Sequence, residues 1–169
     1  MTLGFYPNFP TNIHRTEIFN ATLQSKPLQQ KLIEVLFEVN RKEYSFEEVT
    51  IPTVPEGRMI FEFGLADSEG FTFLDKAELK RAQVLLQKER LTAMDFFCSI
   101  RYYRGNGENK TALKFDYYML RAVFGKGTME LRVFHERGPR YLSPEDLMTF
   151  IEKKVNETAT RKILRKVES

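Results

Sequence analysis

The stretch from Met94 to Val133 contains the pattern that most restricts the fold of this chain. Apolar and mostly polar side chains alternate through three successive runs. The loop RGNGENK separates the first run from the second, and the turn GKG at 125–127 separates the second from the third. Alternation with a period of two residues is typical of half-buried strands, and turn residues join such strands as hairpins. The segment therefore predicts a three-stranded antiparallel meander.

The middle run of this meander is apolar on both of its faces. Tyr118 and Leu120 point to one face, and the residues on the other face are equally apolar. We expect this second set to face the core of the domain, and its members are Phe115, Tyr117, Met119 and Val123. The sequence therefore raises the question of what covers Tyr118 and Leu120.

Two assumed pairings set the register of the meander. Phe124 pairs with Thr128 across the GKG turn, and Tyr102 pairs with Leu113 across the preceding loop. Side chains from the three strands then form a row on the face away from the core. The row consists of Phe97, Tyr118 and Phe134. A shift of two residues in the first hairpin would place Asp116 beside Phe97 instead.

Other segments predict helices and further strands. Residues 15–23 alternate as a strand, and residues 59–65 and 71–73 alternate as a hairpin around the turn DSEG. Apolar residues at helical spacing follow Ser25 and Asp75, which we expect to cap a first helix and a second, shorter one. Ser143 and Pro144 begin a long closing helix over 144–167. The segment EEVTIPTVPEG has two prolines and predicts an edge strand or a connection.

Length and composition are those of one ordinary domain. The chain has 169 residues, of which 42% are hydrophobic and 29% charged, so it has enough apolar content to form a core. We expect a single domain over 1–169, in which residues 1–14 form an extended arm that lays aromatic side chains on the body. The order strand, helix, antiparallel strands and long C-terminal helix predicts an α+β fold with helices packed on one face of a curved antiparallel sheet.

The order of elements from residue 15 to about 167 resembles that of TATA-binding-protein-like and helix-grip domains. In these domains a strand and a helix precede an antiparallel meander that a C-terminal helix closes. The helix predicted between Asp75 and Arg90 interrupts the usual run of strands. The many Lys, Arg and Glu residues are also similar to those of small uncharacterised proteins of hyperthermophilic archaea, a Thermococcales family. The resemblance implies a long helix across the sheet, with either a filled core or a cavity between them.

The face away from the core is a candidate interaction surface. Its expected residues are Phe97, Arg101, Tyr118, Leu120, Arg132 and Phe134. Three alternatives stay open for this surface. The same chain covers it through the N-terminal arm or the helix after Asp75, a second copy packs on it, or nucleic acid stacks on its aromatics. Nearby acidic side chains make nucleic acid the least favoured of the three.

The space between the sheet and the C-terminal helix is a second candidate site. Its apolar lining can enclose a small apolar ligand, while polar groups at one rim orient a carboxylate or hydroxyl. The candidate ligand-binding residues are Phe63, Phe96, Phe115, Tyr117, Arg121 and His135. A filled core with a hydrogen bond between Tyr117 and His135 is the favoured alternative.

Signals for catalysis are poor. His14 and His135 are far apart in sequence, and no spacing gives a metal-ligand set or a Ser/His/Asp arrangement. The GKGT at 125–128 lies between two strands and does not open a helix, so we interpret it as a hairpin turn. Cys98, the single cysteine, is expected to be a buried thiol. We therefore expect no enzymatic activity, no metal and no cofactor.

These observations favour a binding protein over an enzyme. A net charge of +3 permits nucleic acid without arguing for it. No apolar stretch is long enough for a membrane span, and we expect a cytoplasmic protein with no membrane partner. The leading hypothesis is a non-enzymatic, homodimeric binding module that holds a small apolar ligand between sheet and C-terminal helix. The alternative is a nucleic-acid-binding protein that uses the opposite sheet face.

Overall fold

The computed structural model of the chain describes residues 3–105 and 107–167. Residues 1–2 of the predicted arm, residue 106 of the predicted loop and residues 168–169 lie outside the described part. The strands are β1 (Arg15–Ala21), β2 (Glu43–Ser45), β3 (Gly57–Asp67), β4 (Gly70–Phe73), β5 (Ala93–Arg104), β6 (Thr111–Ala112), β7 (Asp116–Gly125), β8 (Thr128–Arg137) and β9 (Leu164–Lys166). The helices are α1 (Ser25–Val39), α2 (Phe46–Val49), α3 (Lys76–Lys88) and α4 (Pro144–Asn156).

The strands of the described residues join into one antiparallel sheet. Its spatial order is β2-β3-β5-β7-β8-β1-β9, while β4 pairs with β3 and β6 pairs with β5. Helices α1 and α4 contact each other and pack on one face of this sheet, and α3 packs against α1. The α+β class and the antiparallel sheet are therefore confirmed, as is the meander β5-β7-β8. In the described part of the chain, no helix is both long and apolar enough to cross a bilayer.

The side chains of β7, the middle strand of the meander, were predicted on the wrong faces of the sheet, because the observed register differs from the predicted one by one residue. The side chains of β7 that are buried against the helices are Tyr118, Leu120, Ala122 and Phe124. Those expected in the core lie on the other side of the sheet or are exposed, and they are Phe115, Tyr117, Met119 and Val123. A register shift of one residue turns every side chain of a strand to the opposite face. The helices themselves therefore cover Tyr118 and Leu120.

Each of the two connections explains the shift. In the first hairpin, β5 and β6 keep the predicted register, and Leu113 N donates to the Tyr102 carbonyl. The next segment, 113–115, contains one residue more than that register allows, so that Phe97 lies opposite Met119. In the second hairpin, Gly125 pairs with Thr128, so the turn has two residues and not the three of GKG.

Aromatic side chains fill the space between the sheet and α4. The ring of Phe150, from α4, stacks on Phe61 of β3 with the ring centroids 4.9 Å apart. Phe63 and Phe96 are fully buried in the same core. Stacked pairs of this kind add to the stabilisation that comes from burying their area. The core is therefore built around ring contacts between the sheet and the last helix.

The chain after Asn156 departs from the predicted long helix. Helix α4 begins as expected, because Ser143 accepts a hydrogen bond from Asp146 N at its first turn. It ends at Asn156, whose side-chain oxygen accepts from Ile163 N at 2.9 Å and from Leu164 N at 2.8 Å. The chain then returns to the sheet as β9, paired with β1. The buried Ile163 and Leu164, which lie within the range predicted as helix, belong to this return.

Two predicted helix caps and one predicted connection have different outcomes in the structure. Asp75 caps α3 as expected, since its carboxylate accepts from Glu78 N. The first helix begins at Ser25, but the residue in the capping position is Gln24, and no side chain caps the N-terminus. In the segment predicted as an edge strand or a connection, 47–57, the first three residues lie in a single turn of helix, α2, which Ser45 and Glu48 close as a capping box. Residues 50–56 form a connection to β3, as one of the two alternatives expected.

The end of α1 is fixed to the sheet by Asn40. Its side-chain amide donates to the carbonyls of Phe63 and Leu74, and its oxygen accepts from Phe63 N at 2.6 Å. Phe63 lies in β3, and Leu74 follows β4 directly. A single side chain thus holds the junction of one helix and two strands.

Replacement of Asn40 by alanine is expected to lower the free energy of unfolding by about 2 kcal/mol, because it leaves backbone groups of Phe63 and Leu74 without partners. Urea denaturation followed by circular dichroism measures this change. Glu38→Ala is the matched control, since its ion pair with Lys42 is exposed to solvent and contributes little. Equal losses in the two variants would contradict the role of Asn40.

Candidate functional site

The sheet face that α1 and α4 leave free, here called the outer face, carries a row of apolar side chains. The row runs across β4, β5, β7 and β8 and consists of Phe71, Phe97, Met119 and Phe134. The Phe71 and Phe97 ring centroids are 5.6 Å apart. Tyr117 extends the row along β7, with its ring centroid 5.9 Å from that of Phe97. All of these side chains are partly exposed, and we call them the outer row.

The outer row differs from the predicted one in that one residue is replaced and two residues, Phe71 and Tyr117, are added. Phe97 pairs with Met119, and Met119 pairs with Phe134, so methionine takes the place expected for Tyr118. Of the residues proposed for the interaction surface, Phe97, Arg101, Arg132 and Phe134 lie on the outer face. Tyr118 and Leu120 lie in the core.

The N-terminal arm covers one end of the outer row. Gly4 lies between the ends of β3 and β5, donating to the Ala66 carbonyl and accepting from Asp95 N. The ring of Tyr6 then lies against Phe71, with the centroids 4.8 Å apart. The alternative in which the same chain covers the row is thus correct for this end. The helix after Asp75 lies in the helical layer and covers none of it.

Arg121 fixes the arm in place. Its guanidinium makes two hydrogen bonds to the buried carboxylate of Asp95, at 2.7 and 2.9 Å, and a third to the Tyr6 carbonyl. Asp95 also accepts from Tyr6 N. The rings of Phe5 and Phe9 lie over the same guanidinium. Arg121, which was expected to orient a ligand in the core, therefore binds the arm on the outer face.

Charged side chains that flank the outer row are paired within the chain. Arg101 on β5 faces Glu62 on β3 at 3.1 Å, and Arg132 pairs with Glu130 on the same strand. The guanidinium of Arg137 lies over the ring of Tyr117, 4.4 Å from its centroid. The face thus combines an apolar centre with two arginines that have acidic partners, Arg101 and Arg132, and a third, Arg137, that stacks on an aromatic ring.

The predicted ligand-binding residues are not brought together. Phe63, Phe96 and His135 lie in the core, whereas Tyr117 and Arg121 point to the outer face and Phe115 is exposed beside Tyr117. The sheet separates the two groups. The expected hydrogen bond between Tyr117 and His135 is absent from the described contacts, because His135 lies opposite Tyr118 and binds Asp116 instead.

Asp116, which the sequence analysis did not select, is the centre of a buried polar cluster. Its carboxylate is completely buried and accepts from Tyr102 Oη at 2.7 Å and from His135 Nε2 at 2.8 Å. The backbone N–H groups of Arg140 and Tyr141 donate to it as well. These two residues belong to the loop between β8 and α4. The carboxylate thus connects three strands to the loop that leads into the last helix.

The surroundings of Asp116 keep its tyrosine neighbours protonated. Burial, with the charge of Asp116 adding to it, raises the pKa of Tyr102 and the pKa of Tyr118 far above the usual range of a phenol. Tyr102 therefore stays a donor to the carboxylate, and Tyr118 donates to the Leu142 carbonyl. Because neither hydroxyl can lose its proton at ordinary pH, the two tyrosines act as hydrogen-bond donors in this cluster.

The two histidines, far apart in sequence, meet beside this cluster. His135 N donates to His14 Nδ1 at 2.8 Å, and the ring of His14 stacks on Phe134 of the outer row. His135 Nδ1 accepts from the Arg140 guanidinium at 3.3 Å. His14 thus links the buried polar cluster to the outer face. Among the residues described, no group of His, Cys, Asp and Glu side chains could hold a metal ion.

Cys98 is fully buried beside this cluster, as predicted. Burial raises the pKa of its thiol well above the usual value, because a thiolate would lose its hydration in this position. The neighbouring strand places Tyr118 opposite it. The thiol therefore behaves as a packing group and not as a nucleophile.

Asp116→Asn is expected to lower the free energy of unfolding by about 3–5 kcal/mol, because the amide cannot accept from all the donors that the carboxylate binds. Glu136→Gln, the same chemical change at an exposed position on β8, is the control and should change stability by less than about 0.5 kcal/mol. Chemical denaturation at neutral pH gives both values. A stable Asp116→Asn protein would show that the cluster does not hold the loop.

His14 is expected to titrate below its usual pKa of 6.5, because burial disfavours its charged form and the Arg140 and His135 charges repel it. The folded state then binds fewer protons at this site than the unfolded chain, so its contribution to stability falls as the pH drops below 6.5. Histidine NMR signals followed over pH give the folded value, and the urea-unfolded chain gives the reference. A folded His14 pKa at or above the reference would contradict this expectation.

Comparison with protein-family models, with curated proteins and with solved structures finds no match to this chain. The geometry of the outer face, the buried cluster and the surface pockets is therefore the basis on which a function is assigned.

Proposed function

We propose that this chain is a non-enzymatic binding module that acts as a homodimer, with the outer face of one copy packed on the outer face of the other. The single observation that carries the proposal is the outer row, a band of apolar side chains across four strands of a sheet face without helices. Contiguous apolar surface of this kind is typical of interaction sites. A twofold contact between identical faces buries the same row in both copies.

The charges around the outer row favour a second copy of the chain, rather than nucleic acid, as the partner of this surface. Arg101 and Arg132 each have an acidic partner in the same chain, and Arg137 is stacked on Tyr117. Binding to nucleic acid gains most of its affinity from cations that neutralise phosphates, and Arg101 and Arg132 are already neutralised by their acidic partners. Paired charges at a rim are compatible with a protein interface, which excludes charge from its centre and tolerates it at the edge.

The filled core likewise favours a homodimer over a module that holds a small apolar ligand. Phe150 stacks on Phe61 between the sheet and α4, and the predicted ligand-binding residues are divided between the two sheet faces. In the arrangement that resembles helix-grip domains, α4 lies across the sheet. The Phe150 ring of α4 fills the space that a ligand would otherwise occupy.

Met119 is the residue of choice for testing the dimer, because it lies at the centre of the outer row between Phe97 and Phe134. Met119→Lys places a charge there and is expected to weaken self-association at least tenfold, a change of about 1.4 kcal/mol. Sedimentation equilibrium over a concentration series measures the dissociation constant. Val84→Lys, on an exposed position of α3 in the helical layer, is the matched control and should leave it unchanged.

Two results would overturn the proposal. One is a wild-type chain that stays monomeric at about 100 μM, a concentration at which even a weak specific dimer is populated. The other is salt-sensitive binding of single-stranded DNA by the monomer that Phe97→Ala weakens, which would assign the outer row to nucleic acid.

A further inference from the structure

A pocket of about 560 Å³ lies where α1 begins, and none of its lining residues belongs to the outer row. Three segments form its wall: the start of α1, the residues before β5 and the turn between β7 and β8. The lining residues are Gln24, Ser25, Lys26, Gln29, Arg90, Leu91, Thr92, Phe124, Gly125, Lys126 and Gly127. The turn at 125–127, interpreted from the sequence as a simple hairpin connection, is thus also part of a concave site.

The charged side chains that line this pocket are all positive. Lys26, Arg90 and Lys126 line it, and none of the described lining residues is acidic. Lys26 is held near the pocket by a hydrogen bond from its ammonium to the Gln87 carbonyl. The first turn of α1 has no acidic residue and no side-chain cap, so the partial positive charge of the helix end is uncompensated there. These groups favour an anion.

Gln29 provides an observation independent of the charges. It lines the pocket, yet only 1% of its surface is exposed. Its amide nitrogen donates to the Leu91 carbonyl at 2.8 Å, which fixes the orientation of the amide, since the flipped form would place two acceptors together. Its oxygen then has no hydrogen-bond partner. A buried acceptor without a donor costs free energy, and a ligand that brings a donor removes that cost.

We propose that this pocket binds a small phosphate compound that carries a hydroxyl group, either inorganic phosphate or a phosphate monoester. Lys26, Arg90, Lys126 and the N–H groups at the start of α1 bind the charged oxygens. The hydroxyl donates to the Gln29 oxygen. Sulfate and phosphodiesters offer the same negative oxygens without that hydroxyl, so the site discriminates against them. The DNA backbone, a phosphodiester without a hydroxyl, is excluded by the same chemistry.

The test is an NMR titration of the full chain at low ionic strength with four probes. Inorganic phosphate and glycerol 3-phosphate carry a donor, whereas sulfate and dimethyl phosphate do not. We expect the first two probes to cause saturable shifts of the amide signals of residues 24–29, 90–92 and 124–127. We also expect the other two probes to bind at least fivefold more weakly.

Substitutions of lining residues test whether phosphate binds in this pocket. Arg90→Gln and Lys126→Gln are each expected to weaken phosphate binding at least fivefold. Lys42→Gln is the control, since Lys42 lies beyond the other end of α1 and pairs with Glu38. All three positions are exposed, so the variants should fold.

Three results would overturn the phosphate site: no saturable shift at phosphate concentrations up to about 20 mM, equal binding of sulfate and phosphate, or the same affinity in the Arg90 and control variants. None of them bears on the homodimer, because the outer row has no residue in this pocket. The sedimentation experiment and the titration can therefore fail separately.

Discussion

The buried carboxylate of Asp116 is the interaction on which the rest of the fold depends. It receives donors from Tyr102 on β5, from His135 on β8 and from the loop that leads into α4. A charge in that position would be costly without these donors, and the donors would be unsatisfied without it. Gly138 shows how closely the loop approaches: a Cβ there would lie 2.4 Å from the carboxylate, and its φ of +120° suits glycine. The carboxylate thereby fixes where α4 starts and which rings it brings to the sheet.

The sequence predicts the class and order of the elements because those depend on periodicity and local capping. The meander, the caps at Asp75 and Ser143 and the buried Cys98 all follow from residues close to one another in the chain. The faces of β7 could not be predicted in the same way. Its two faces are equally apolar, so its orientation depends on how many residues each connection uses, and one extra residue in 113–115 reverses it. The end of α4 was missed because the Asn156 contacts that stop the helix are made by residues further along the chain.

The candidate sites, too, could be predicted only where they depend on residues close together in the chain. Phe97, Phe134, Arg101 and Arg132 were placed correctly, since β5 and β8 alternate clearly. The register shift divided the predicted ligand-binding residues between the two sheet faces. The Asp116 cluster was missed because the donors to its carboxylate come from three separate segments. The basic pocket at the start of α1 combines parts of the chain that are about a hundred residues apart, of which only the glycine-rich turn had a signal in the sequence. The interpretation of that segment as a hairpin turn is correct, but its position beside the start of a distant helix depends on tertiary packing and has no signal in the sequence.

The position of β1 in the sheet has a consequence for how the chain acquires its structure. Strand β1 is the first strand made, but its partners are β8, at residues 128–133, and β9, at residues 164–166. Synthesis from the N-terminus therefore leaves β1 without a partner until more than a hundred further residues have emerged. Pairings between such distant segments close large loops, and chains rich in them fold slowly. Until then Phe19, which is buried in the folded sheet, lacks the strands that cover it, and apolar segments exposed in this way are prone to aggregation.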